Sequence, residues 1–84
     1  MTLPTEQIPT YGERAVGLSF NPGGDAAVHH CKQMFAAVID QMAELRSQLL
    51  TAPGTSEAVR LATVAITEAQ TAQMWAVKAL TWRS

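Results

Sequence analysis

Two long stretches of helical periodicity, separated only by TAPGTSE, restrict this chain more than any other feature. Over 25–50, Val28, Cys31, Phe35, Val38, Met42, Leu45 and Leu49 recur in alternating steps of three and four, an unbroken a/d seam. Over 56–82, Ala58, Ala62, Ala65, Ala69, Ala72, Ala76 and Ala79 recur in the same steps and make a smooth stripe. Pro53-Gly54 stops the first helix, and Thr55 or Ser56 is placed to cap the second, with Glu57 in its first turn. A connection this short folds the helices back antiparallel, with the alanine stripe expected on the seam. The fold class is all-α: a two-helix antiparallel hairpin domain over 25–84, preceded by an N-terminal arm.

The arm, 1–24, holds three of the four prolines and four of the five glycines, so no helix of any length is expected there beyond a brief turn over 5–11. At its end, Asn21-Pro22-Gly23-Gly24-Asp25 reads as a turn closed by an aspartate N-cap.

A hairpin of this size buries little, and the usual staples are missing. Cys31 is the sole cysteine, and it falls on the seam, where a small buried hydrophobe explains it better than a nucleophile or ligand. His29 and His30 point ~100° apart on a helix and form no metal pair. With 48% hydrophobic and 15% charged residues, the chain is more apolar than a lone hairpin needs. In the second helix, Val59, Ile66, Val77 and Leu80 flank the stripe on one side and Leu61, Val64, Trp75 and Trp82 on the other. One partner helix covers one stripe, so further subunits are expected on the rest. A net charge of −1 argues against DNA or RNA polymers and anionic membranes as partners. No apolar run approaches the ~18 residues of a membrane span, and no basic segment precedes one. A cytosolic chain is expected.

Opposite the alanines lie Arg60, Thr63, Thr67, Gln70, Thr71, Met74, Lys78 and Thr81. This face is polar, yet its two charges are both positive. Hydroxyls beside cations suit a phosphate. They equally suit subunit contacts, or threonines bonding back to their own helix. Tyr11, in PTYGER with Gly12 after it, is the only tyrosine: a stacking lid for a flat ligand, or an anchor for the arm. The seven carboxylates form no recognised catalytic motif, so no enzyme, cofactor or metal centre is expected.

A tyrosine in the arm, then FNPGGDAAVHHCKQMFAAVID, then AVRLATVAITEAQTAQMWAVKALTW, together resemble the hairpin domain of phage cyclic-nucleotide sponges. These are the small anti-CBASS proteins, whose hairpin is shared with the larger anti-Thoeris sponges. The resemblance covers about residues 8–82, and the length fits the compact anti-CBASS type, although NPGG matches the anti-Thoeris hairpin better than the shortest anti-CBASS members. It implies a homohexamer, in the cytoplasm of the infected bacterial host, that sequesters messengers without cleaving them. Cyclic dinucleotides such as 3′,3′-cyclic GMP-AMP would lie between protomers, some members also hold cyclic trinucleotides, and the anti-Thoeris branch takes cyclic ADP-ribose isomers. By position, Tyr11 beside Gly12 would stack on a base, Lys32 and Arg60 would address phosphates, and Thr63, Thr67 and Lys78 would complete the ligand face. The competing reading is a helical scaffold or adaptor acting through protein–protein contacts.

Overall fold

A computed structural model describes residues 8–83. They form three helices: α1 (Tyr11–Val16), α2 (Ala26–Leu50) and α3 (Ser56–Leu80). The long pair is the antiparallel hairpin the periodicity calls for, and the described residues hold no strand. The molecule is a slab of 50 × 40 × 14 Å, hardly thicker than one helix with its side chains. Among the described residues, no helix is long and apolar enough to cross a membrane.

The N-terminal segment departs from expectation. Most of the turn expected over 5–11 lies outside the described residues, but α1 is a true helix, docked on the hairpin. Thr10 starts it through a capping box: the Glu13 amide donates to Thr10 Oγ1 at 3.1 Å, and the Thr10 amide donates to Glu13 Oε1 at 2.8 Å. Gly17 ends it in the left-handed conformation (φ 63°), and the amides of Gly17 and Leu18 return to the carbonyls of Arg14 and Glu13. The glycines and prolines of 1–24 therefore bracket a helix as well as break one. Val16 from this helix joins Ala36, Ile39 and Ile66 in the core, with Phe35, Met42 and Ala69 packed around them.

The turn before α2 matches the sequence reading. Asp25 accepts from the amides of Ala27 at 2.8 Å and Val28 at 3.4 Å, while Asn21 braces the loop by donating to the Asp25 carbonyl at 2.8 Å. The cap of α3 does not match. Thr55 turns its hydroxyl back to the carbonyls of Leu49 (2.5 Å) and Ala52 (2.8 Å), closing the end of α2 and leaving α3 with no side-chain cap. The last carbonyls of a helix lack intrahelical partners, and a nearby hydroxyl can satisfy them.

The buried stripes are rotated from those expected. On α2 the buried side chains are Val28, Lys32, Ala36 and Ile39, while Val38 and Leu45 of the expected seam stay exposed. On α3 they are Ala62, Ile66 and Gln73, and Ala72 and Ala79 of the alanine stripe face out. The reason is α1. It occupies part of α2's surface, so α2 must bury an arc shared between two helices and not one seam. The half-buried Cys31 lies at the margin.

Candidate functional site

Three helices bring Tyr11, Arg46 and Thr63 together on one surface. Tyr11 opens α1 and is 42% exposed. Arg46, four residues from the end of α2, places its guanidinium 5.9 Å from the centre of the Tyr11 ring, a cation–π distance. The same guanidinium donates from Nη1 to Thr63 Oγ1 on α3 at 3.2 Å. Thr63 in turn donates to the carbonyl of Val59 at 3.0 Å. An aromatic plate, a permanent cation and a hydroxyl thus lie side by side, and exposed Thr67 stands one turn farther along α3.

Arg60 lies one turn before Thr63 and is exposed, but it is occupied. Its Nη2 donates to Glu57 Oε1 at 2.6 Å, and its Nε lies 3.1 and 3.2 Å from the two carboxylate oxygens. The guanidinium holds the Glu57 carboxyl below its usual range, and the carboxylate raises the arginine. The pair's contribution to folding is present above the ordinary glutamate pKa. It is lost as pH falls through the lowered value, and the exposure of both side chains keeps it small. A phosphate would have to displace Glu57 to take both guanidinium edges.

Gly12 is buried and serves packing. Its amide donates to Asp40 Oδ1 at 2.7 Å, and its bare Cα sits against the backbone of Ala36. The structure places Gly12, expected beside Tyr11 on the ligand surface, at the contact of α1 with α2, where glycine is needed because the two helices touch. Lys32 is placed differently as well. It is 5% exposed and donates from Nζ to the carbonyls of Gly17 at 3.0 Å and Phe20 at 2.6 Å, with the Phe20 ring 5.6 Å away. Within one protomer this ammonium is spent on the loop after α1, and about 21 Å of helix separates it from Arg46. Lys78 lies at the same open end of the hairpin, its ammonium 5.6 Å over the exposed ring of Trp75. The threonine face divides similarly: Thr63, Thr71 and Thr81 each bond back to the carbonyl four residues earlier.

Sequence reasoning missed Arg46. The signal was available: Arg46 continues the stripe of Ile39 and Met42 at steps of three and four, so a cation was due on a packed face beside α3. It carried no weight without knowing that α1 folds over that end of α2.

A protein-family model, the Acb2/Tad1 hairpin domain, matches residues 13–81. The chain belongs to this family of anti-CBASS and anti-Thoeris sponges. The match takes in α2 and α3 whole and most of α1, so the hairpin is the family's shared element, and Tyr11 lies just ahead of the matched span. No curated protein and no solved structure matches the chain.

Proposed function

We propose that this Acb2/Tad1 hairpin protein binds cyclic oligonucleotide messengers of antiphage defence and withholds them, uncleaved, from their effectors. The setting is the cytoplasm of an infected bacterial host. Family membership supports a cyclic-nucleotide sponge in general terms. The observation that carries the finer reading is the convergence of Tyr11, Arg46 and Thr63 from three helices on one exposed surface. A cyclic dinucleotide presents two flat bases and two phosphates, and this surface offers a plate for one and charge-assisted donors for the other. Cyclic dinucleotides such as 3′,3′-cyclic GMP-AMP are the first ligand class to try, followed by cyclic trinucleotides and cyclic ADP-ribose isomers.

One protomer leaves such a ligand open to water on one side. The slab also leaves Met34, Leu61, Met74, Trp75 and Trp82 more than half exposed, an apolar surplus that suits assembly into a homohexamer. Assembly would bring Lys78 and the open end of one hairpin toward the Tyr11 surface of another. Light scattering should therefore give a mass near six times the 9.0 kDa protomer. A monomer at tens of micromolar would remove the between-protomer site.

Calorimetry against a panel of these nucleotides tests the binding. Tyr11→Ala and Arg46→Ala should each weaken it by about 1–3 kcal/mol, the range for a lost base stack or a charged hydrogen bond. Ligand recovered intact after heat denaturation separates a sponge from a nuclease. No binding at micromolar concentrations to any member of the panel sinks the proposal. The exposed tryptophans would then favour the adaptor reading, in which Trp75→Ala abolishes function and Arg60→Ala and Thr67→Ala do not.

A further inference from the structure

The six residues of α1 could not hold a helix in water unaided, since the nucleation cost is recovered only over several turns. Two side chains of α2 meet its two ends. Asp40 Oδ1 accepts from the Gly12 amide at 2.7 Å, at the end where orphan amides leave partial positive charge. Lys32 Nζ donates to the carbonyl of Gly17, the residue that caps the other end, at 3.0 Å, and to that of Phe20 at 2.6 Å. Lys32, Ala36 and Asp40 are spaced i, i+4, i+8 and form one ridge of α2. The span from Lys32 to Asp40 is about 12 Å, against about 9 Å for α1. At the centre of the ridge, the backbone of Ala36 meets the bare Cα of Gly12. The charges are ordered to oppose the dipole of a helix running antiparallel to α2: carboxylate at its start, ammonium at its end.

We propose that Lys32 and Asp40 are positioning residues, a two-point clamp that seats α1 so that Tyr11 stands beside Arg46. Lys32 acts on the ligand through Tyr11 and not by touching phosphate. This rests on the ligand reading above only for its binding arm; the clamp itself is a property of the free protein.

Hydrogen exchange and calorimetry on the full chain test it, with Lys32→Met, Asp40→Ala and Asp40→Asn. The first two should speed exchange of the Gly12, Gly17 and Leu18 amides by about tenfold or more, the scale of a lost hydrogen bond to a charged group, while amides in the middle of α3 keep their protection. Asp40→Asn keeps an accepting oxygen and should restore most of it. With 3′,3′-cyclic GMP-AMP, Lys32→Met should cost about tenfold in affinity in the wild-type background and little in a Tyr11→Ala background. Unchanged α1 exchange in Lys32→Met and Asp40→Ala overturns the clamp. Additive losses in the cycle overturn the claim that Lys32 acts on the ligand through Tyr11. If the wild-type protein binds no cyclic nucleotide, the ligand reading fails and the exchange measurements still decide the clamp.

Discussion

Gly12→Ala should undock α1. Alanine is the better helix former by about 1 kcal/mol, so on propensity alone the substitution would stabilise the protein. Packing reverses the sign. A Cβ at this position would overlap the carbonyl oxygen of Ala36 and lie 2.9 Å from both the carbonyl carbon of Ala36 and Oδ1 of Asp40. The obstacle is the backbone of a helix that is itself packed on α3, so relief has to come from α1 moving away. That movement breaks the Gly12–Asp40 hydrogen bond and pulls Val16 from the core. Overpacking of this kind costs about 1–3 kcal/mol, and the hydrogen bond to a charged acceptor a similar amount. A chemical melt should show the loss. Calorimetry should show the affinity of Gly12→Ala dropping at least as far as that of Tyr11→Ala, although Gly12 presents no side chain to any ligand. A variant as stable as wild type would mean that α1 does not rest on α2 at this point.

Ile39→Ala should be the most damaging single truncation in the chain. Ile39 is the one fully buried large side chain among the described residues, and it sits where Val16 of α1 and Ile66 of α3 meet α2. Removing its outer carbons leaves a cavity that three helices cannot all close, at a cost of about 2–5 kcal/mol, against about 0.5–1.5 for Ile39→Val. A domain of this size has a total stability near the low end of the usual 5–15 kcal/mol. Urea titration at two protein concentrations checks both points. Ile39→Ala should lose most of its transition midpoint, and if protomers associate, the midpoint of the wild type should rise with concentration. Similar midpoints for the alanine and valine variants would show that the junction repacks.

The functional reading gains from these two substitutions because they separate structure from contact. Gly12 and Ile39 are both buried and present no side chain at the Tyr11 surface, yet both hold the helix that carries the ring. Tyr11 and Arg46 are exposed or partly so, and their loss should change affinity with little change in melting temperature.

The sequence by itself determined the hairpin. Periodicities of three and four over two long segments, a Pro-Gly break, and an aspartate placed to accept from free amides are local signals, read within a few turns of one helix. It also determined the excess of apolar surface, because one hairpin cannot cover a helix that is apolar over most of its circumference. The tertiary structure alone decided what the N-terminal segment does. Six residues with a glycine at the second and another just past the last have little autonomous helical tendency, and Asp40, Lys32 and the flat approach at Ala36 make that conformation stable. The same contact decided the roles of the cations. Lys32 and Arg46 are both basic residues on the packed arc of α2, alike in sequence terms. One meets the carbonyl end of α1 and is buried, and the other meets the tyrosine at its start and stays within reach of a ligand. Which of two similar charges is structural and which is available depends on where a third helix lands, and that is set by contacts 15 to 35 residues apart in the chain.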